Sequence, residues 1–172
     1  MPRAVLERHP ASETSALRGI TASVTRQPNA LQVAYVLAGD IGRVRIPAPR
    51  APRSAERLWQ HTCCEIFIVR DGVPGYQEFN FSPSGEWAAY AFTRYREGSP
   101  LSIPDPRIVL KRGPSRLELS AAIPAEAGKL RIGLSVVVEE ESMTYWALRH
   151  APGKPDFHHA DAFALELDEV RH

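Results

Sequence analysis

The stretch HAPGKPDFHH (150–159) gathers three histidines, a lysine, an aspartate and a phenylalanine in one short segment. Its two prolines and its glycine disfavour a helix, so these side chains must project from a loop. Side chains of these types could bond a polar ligand, coordinate a metal or transfer protons. The loop is longer than a hairpin needs, and long loops on rigid scaffolds often carry function. We expect it to form one wall of a site, with the candidate ligand-binding residues His150, Lys154, Asp156 and His158.

A simpler interpretation of the same loop is structural. In that interpretation Phe157 closes one end of the core and Asp156 caps backbone amides. The two interpretations are compatible, because one loop can be held by its own contacts and still line a site.

A second set of reactive side chains lies on CEIFIVR (64–70) and YQEFNFS (76–82), which flank the turn signal DGVPG. Successive side chains of a strand point to opposite faces. We expect the apolar row Cys64, Ile66 and Ile68 to enter the core. The opposite face then carries Glu65, Phe67, Tyr76, Glu78 and Asn80. Two carboxylates beside aromatic rings favour a concave polar site, and the alternative is pairing with arginines at the surface.

Aromatic side chains elsewhere in the chain could stack on a flat ligand. The candidates are Trp59, Trp87, Tyr145 and Trp146, and His61 lies close to Trp59 in the sequence. Alternation along TYWALRH (144–150) turns one of Tyr145 and Trp146 inward and the other outward. For each tryptophan, packing in the core is the alternative to stacking on a ligand.

The elements that must position these residues are short strands separated by 15 prolines and 11 glycines. Strand-like runs span 20–26, 31–37, 43–46, 64–70, 76–82, 86–92, 116–123, 130–139, 144–150 and 163–168. Helical periodicity is confined to a turn or two near 53–58 and 124–128. The pattern predicts an all-β fold, an antiparallel, jelly-roll-like β-sandwich of roughly ten strands with little helix. It forms a single domain over 1–172, with its core at about 15–168.

Composition narrows the possible partners. The chain has 172 residues and a formal charge of +1. Its residues are 44% hydrophobic and 24% charged, a composition that is ordinary for a globular domain. With no basic run and no long apolar segment, we expect neither nucleic-acid nor membrane binding. The beginning of the sequence does not have the apolar core of a secretory signal. The cysteines Cys63 and Cys64 are adjacent and therefore poorly placed to form a disulfide with each other, which agrees with a reducing compartment. We therefore expect a cytoplasmic protein.

Three segments of the chain resemble a known family. They are LWQHTCCEIFI, GYQEFNFSPSGEWAAY and YWALRHAPGKPDFHHADAF, and they are similar to the DOMON-like family, in particular a bacterial branch related to family-nine carbohydrate-binding modules. The matching features are Glu65–Phe67, Tyr76, Glu78–Phe79 and Ser82-Pro83-Ser84-Gly85, and the resemblance covers about 15–168. Proteins of this branch are sometimes labelled MurB-like, after a flavin-dependent reductase. We do not expect that activity, because no glycine-rich GxGxxG turn opens a helix here.

The resemblance implies a β-sandwich that binds a ligand, sugar or haem, and catalyses no reaction. Sugars are held by aromatic faces, and by carboxylates, amides and basic side chains that bond their hydroxyls. The candidates above supply both kinds of group. We therefore expect a non-catalytic domain that binds a carbohydrate or a sugar-like small molecule, without a cofactor.

Three alternatives stay open at this stage. Haem binding would use His or Met as axial ligands, for which Met143, His150, His158 and His159 are available. A metal-dependent enzyme could use His61, His158, His159 and Asp161, although adjacent histidines point in different directions. A sandwich face could also bind another protein.

Overall fold

The computed structural model describes residues 3–169, which form twelve strands and three short 3₁₀ turns. The strands are β1 (Arg3–Arg8), β2 (Leu17–Gln27), β3 (Ala30–Gly39), β4 (Cys63–Arg70), β5 (Tyr76–Phe81), β6 (Trp87–Arg94), β7 (Glu97–Pro100), β8 (Val109–Arg112), β9 (Arg116–Pro124), β10 (Leu130–Glu139), β11 (Met143–Ala147) and β12 (Leu165–Leu167). The 3₁₀ turns are Ile41–Arg43, Leu58–Gln60 and Ala160–Ala162. Within the described residues, no helix is long and apolar enough to span a membrane.

The strands form two antiparallel layers that share β1. The back sheet has the order β1-β2-β3-β9-β8, and the front sheet has the order β7-β6-β5-β4-β10-β11, with β12 pairing β10. Residues 3–6 of β1 pair with β2, whereas Glu7 and Arg8 pair with β11, so one strand passes from one layer to the other. The predicted all-β, antiparallel sandwich is confirmed.

The main core fills the space between the two layers. The back sheet contributes alternating residues such as Val33, Tyr35 and Leu37, and the front sheet contributes residues such as Ile66 and Phe79. The Tyr35 hydroxyl donates a hydrogen bond of 2.7 Å to the backbone carbonyl of Glu65, so a buried side chain of the back sheet is tied to the middle of β4. A satisfied buried hydroxyl of this kind fixes the position of its partner strand.

The outer face of the front sheet is also partly covered. The side chains of β4 are buried on both faces over Cys63–Ile68, unlike those of a strand with one wet face. One small apolar cluster on this face contains Phe67, Tyr76, Ala162 and Phe163, and a second contains Leu58, Cys63 and Ala88. The two clusters leave a concavity between them, which is described below.

Several predicted elements need correction. The segment 43–46 is not a strand: Arg45 N–H donates to Glu139 O at 2.8 Å, but Pro47 has no N–H with which to extend a ladder. Neither 53–58 nor 124–128 is helical over its length, because proline and glycine around them limit the chain to turns and extended backbone. Strands β1, β7 and β8 were not predicted, since their exposed and mixed residues give little alternation.

The turn between β4 and β5 gives a test of backbone geometry. Gly72 and Gly75 both adopt positive φ, +75° and +85°, but a Cβ at Gly72 meets nothing within 4 Å, whereas one at Gly75 would clash with the backbone carbonyl oxygen of Phe92. We expect Gly72→Ala to cost about 1 kcal/mol of unfolding free energy, from conformation alone. Gly75→Ala should cost about 1–3 kcal/mol more, because the backbone of β6 must move. Urea denaturation of both variants measures the difference, and equal losses would contradict the close approach to β6.

Candidate functional site

The concavity on the outer face of the front sheet has a volume of about 620 Å³. Its floor consists of strand residues, namely Glu65, Phe67, Glu78, Tyr90, Phe92 and Val137. Its rim consists of Trp59, Arg96, Tyr145, Lys154, Pro155, Phe157 and His158. The volume lies within the range of small-molecule sites, which are concave and mostly apolar with a few polar groups.

Strand register brings the floor residues together. Glu65 pairs with Asn80, and Phe67 pairs with Glu78, which in turn pairs with Tyr90 of β6. These five residues therefore share one face of three adjacent antiparallel strands, opposite the core-facing Ile66 and Phe79. The prediction that Glu65, Glu78 and Asn80 lie on one face outside the core is confirmed.

Glu65 is the most enclosed polar group of the floor. It is 3% exposed, and the Asn80 amide, in the orientation that satisfies its own bonds, donates to Glu65 Oε1 at 3.1 Å. Glu65 Oε2 and the Oγ of Ser135, which stands opposite on β10, are both buried without a hydrogen-bond partner within residues 3–169. Burial, and next the charge of Glu78, raise the pKa of Glu65 well above 4.5, while Ser135 opposes part of the shift.

A chain of polar side chains links the loop to the floor. The Tyr76 hydroxyl accepts from Arg96 N–H at 3.0 Å and lies 2.8 Å from His158 Nδ1. The two bonds hold the Tyr76 hydroxyl between the turn at Arg96 and the ring of His158, whose other nitrogen is Nε2. That Nε2 lies 3.4 Å from Glu78 Oε1. Tyr76 thus orients His158 toward Glu78 from outside the concavity.

The loop that forms the wall is held by Asp156. Its carboxylate accepts from the Tyr95 hydroxyl, from Arg96 Nη2 at 3.0 Å, and from His158 N–H at 3.1 Å. Burial opposes the charge of Asp156, but these bonds outweigh it and hold the pKa below its usual 3.8. Phe157 packs against the cluster around Phe67. Asp156 therefore caps a backbone amide as the structural interpretation expected, whereas Phe157 packs on the outer face of the front sheet and not at the end of the main core.

Removing the charge of Asp156 should loosen this wall selectively. The partly exposed ion pair with Arg96 contributes only about 0.2–1 kcal/mol, so we expect Asp156→Asn to leave global stability nearly unchanged. Amide hydrogen exchange over 153–158 should become faster, because the loop opens locally. Asp161→Asn, an exposed carboxylate in the following turn, is the matched control. Unchanged exchange in Asp156→Asn would contradict the role given to Asp156.

Of the residues predicted to bind a ligand, six line the concavity: Trp59, Glu65, Glu78, Tyr145, Lys154 and His158. Tyr76 and Asp156 support them from behind, and Asn80 is fully buried beneath Glu65. The outward member of the Tyr145–Trp146 pair is Tyr145, as Trp146 is in the core.

Four predicted residues lie elsewhere and are corrected here. Trp87 pairs with Phe81 and points into the main core, as does Trp146, because alternation places both on the inner face. His61 contacts Glu139 at 2.8 Å, in a separate groove that also contains Arg45, Arg50, Arg53 and Arg57 (the arginine-lined groove). The ring of His150 bonds the backbone carbonyl of Glu7 at 2.6 Å instead of entering the concavity.

Phe67 was expected on this face beside the carboxylates, but six other lining residues were absent from the predicted site: Tyr90, Phe92, Arg96, Val137, Pro155 and Phe157. Alternation separates Tyr90 and Phe92 from Trp87 on β6, so the pairing of Glu78 with Tyr90, had it been known, would have found them. Arg96 could not be found in this way. It reaches the rim from a tight turn in which its own φ is +55°.

The residues do not fit haem or a metal ion well. His158 has both ring nitrogens near Tyr76 and Glu78, and the other candidate axial ligands, Met143, His150 and His159, do not line the concavity. Axial ligation needs a nitrogen free to face the iron. Within residues 3–169, no group of three or more His, Cys, Asp or Glu side chains is arranged to hold a metal.

Comparison with known proteins shows a likeness of fold. Neither a family model nor a curated protein matches the chain. A crystal structure from Bacteroides uniformis, described as that of a candidate carbohydrate-binding protein, aligns with a TM-score of 0.66 at 13% sequence identity. The alignment covers 97% of this chain and 85% of that one. At this identity the likeness shows a shared sandwich fold over nearly the whole chain.

Proposed function

We propose that this domain binds a carbohydrate or a sugar-like small molecule in the concavity and does not transform it. The observation that carries the proposal is one preformed cavity that combines buried carboxylates on its floor with aromatic rings around it. Aromatic faces suit the C–H patches of a sugar ring, and carboxylates accept hydrogen bonds from its hydroxyls.

The division between floor and rim suits a ring-shaped ligand. Trp59, 53% exposed, and Tyr145 stand at the rim, where they can cover an entering ring. Lys154 on the loop can donate to hydroxyls from above, while Glu65 and Glu78 accept from below. A ligand held in this way is bonded from two sides, which gives orientation as well as affinity.

The geometry favours binding over hydrolysis. Glu65 and Glu78 project from one face of adjacent strands, so both approach a ligand from the same side. Glycosidases use two carboxyl groups that flank the bond to be cleaved. Among the described residues, no serine, threonine or cysteine lines the concavity as a nucleophile.

Two likenesses support a carbohydrate ligand. The structure from Bacteroides uniformis is described as a candidate carbohydrate-binding protein, and it shares the fold. The sequence motifs resemble DOMON-like domains related to family-nine carbohydrate-binding modules. Within the concavity, those motifs supply Glu65, Phe67 and Glu78.

A glycan array followed by calorimetry tests the proposal. We expect at least one mono- or oligosaccharide to bind the parent protein. Tyr145→Ala should weaken that binding by about 1–3 kcal/mol, the value of burying one aromatic face. The control is Val109→Ala, which removes another exposed hydrophobic side chain, on the back sheet and away from the lining residues. If no sugar binds, or if both variants bind as the parent does, the proposal fails.

A further inference from the structure

The floor of the concavity contains an unusual acidic pair. Glu65 is 3% exposed and Glu78 is 6% exposed, and they are diagonal neighbours on adjacent strands because Phe67 pairs with Glu78. Both line the concavity. Enclosed carboxylates are normally paired with a cation or fully hydrogen-bonded, since burial of an unpaired charge is costly.

Within residues 3–169, no lysine or arginine neutralises this pair from the floor. The lysine and the arginine that line the concavity are at the rim. Arg96 is bound to Asp156 at 3.0 Å, and Lys154 is exposed on the loop. His158 lies 3.4 Å from Glu78, but Glu65 Oε2 has no hydrogen-bond partner. The acidic pair therefore has a neutral hydroxyl opposite it, that of Ser135, but no positive charge at the floor.

Neighbouring groups show that the floor has a negative potential. Burial and then the charge of Glu78 raise the pKa of Tyr90, and Glu65 adds to the same shift. The other groups that face Glu65 are neutral or acidic: Asn80 on β5 and Ser135 on β10, besides the thiols of β4. Such a floor favours the protonated form of Glu65 in the empty site and attracts a cation.

The walls are suited to the same cation. Six aromatic side chains line the concavity: Trp59, Phe67, Tyr90, Phe92, Tyr145 and Phe157. The face of an aromatic ring attracts an ammonium group, and cages of such rings with a carboxylate are a recurring way to bind organic cations. A neutral sugar would use the rings but would bring no positive charge to Glu65 and Glu78.

We infer that the ligand presents a protonated amine to Glu65 and Glu78, so that its class is an amino sugar. The inference rests on the proposed carbohydrate binding for the sugar part and on the acidic pair for the amine. On binding, the ammonium donates to Glu65 Oε2, and the proton held by Glu65 leaves to solvent. The charge of the floor is then balanced by the ligand.

Calorimetry with matched sugars tests the inference. The probes are glucose, glucosamine and N-acetylglucosamine, the same three derivatives of galactose, and cyclohexylamine as an amine without hydroxyls. Each is titrated in two buffers of different ionisation enthalpy, which gives the number of protons released. We expect the amino sugars to bind roughly 10- to 100-fold more tightly than their neutral and acetylated partners, the strength of a charged hydrogen bond. They alone among the sugars should release a proton.

Two variants test whether Glu65 is the source of the preference for an amine. Glu65→Gln should remove both the preference for the amine and the proton release, whereas Glu141→Gln, which removes the same charge from an exposed turn, should keep both. If Glu65→Gln fails to fold, the proton count of the parent protein still decides.

The two proposals fail in different ways. The inference of an amino sugar is overturned if neutral, acetylated and amino sugars bind equally well, or if amino sugars bind without releasing a proton. Either result would leave the proposal of carbohydrate binding in place. If no sugar binds, the proposal of carbohydrate binding is wrong. The titration with cyclohexylamine then shows whether the acidic pair binds an ammonium group at all. Its binding with proton release supports that site, and its failure to bind overturns it.

Discussion

Replacing Trp146 by alanine is expected to lower the free energy of unfolding by about 3–5 kcal/mol, the usual cost of truncating a large core aromatic. Trp146 is 5% exposed and packs in the main core, and its Nε1–H donates to Thr144 Oγ1 at 3.1 Å. The cavity left behind lies between the two sheets, where the surrounding strands have little freedom to collapse. Denaturant melts of the purified variant measure the loss.

The neighbouring Tyr145 is the matched control for that experiment. It points to the other face of β11, lines the rim of the concavity and stays half-buried. We expect Tyr145→Ala to cost less than about 1 kcal/mol, as for a residue with little core contact. A large loss from Tyr145→Ala, or a small one from Trp146→Ala, would contradict the assignment of inner and outer faces.

The second large effect is a pH-dependent stabilisation by Glu65→Gln. Burial and Glu78 raise the folded-state pKa of Glu65 above its usual 4.5, so the folded protein retains a proton that the unfolded chain releases. The contribution of Glu65 to stability is therefore full below the unfolded pKa of 4.5 and is lost as the pH rises through the folded pKa. Glutamine has nearly the same shape and never ionises. At pH 8 we expect the variant to be more stable than the parent by roughly 1–3 kcal/mol.

Urea melts at intervals from pH 4.5 to pH 8 test this result. The difference between Glu65→Gln and the parent should grow with pH, and Glu141→Gln should follow the parent throughout. All other ionisable groups are the same in the two proteins, so their effect largely cancels in the comparison. A difference that is constant, or that shrinks with pH, would show that Glu65 is not held in its protonated form.

Alternation along single strands allowed much of the site to be predicted from the sequence. It placed Glu65, Glu78 and Asn80 on one face and separated Tyr145 from Trp146, because a period of two depends only on local geometry. Trp87 was misplaced, since residue type alone cannot distinguish a tryptophan that packs in the core from one that stacks on a ligand.

Contacts between segments far apart in the sequence could not be predicted from alternation along single strands. Arg96 lies at the rim because its backbone adopts a left-handed conformation and its guanidinium bonds Asp156, which is sixty positions later in the sequence. Exposed strands such as β7 (Glu97–Pro100) exist only because their neighbours pair with them, and their own residues have little strand preference. The cover on the outer face of the front sheet likewise depends on where the loop after β11 returns.

The most direct test of the concavity as the binding site uses the three tryptophan indoles as reporters in ¹H–¹⁵N spectra. Trp59 is 53% exposed at the rim, whereas Trp87 and Trp146 are 8% and 5% exposed in the core. Titration with the tightest sugar from the array should shift the Trp59 indole and the amides of 154–158, and should leave the other two indoles in place. Saturating binding that leaves Trp59 unmoved, or that shifts residues of the arginine-lined groove instead, would contradict the account.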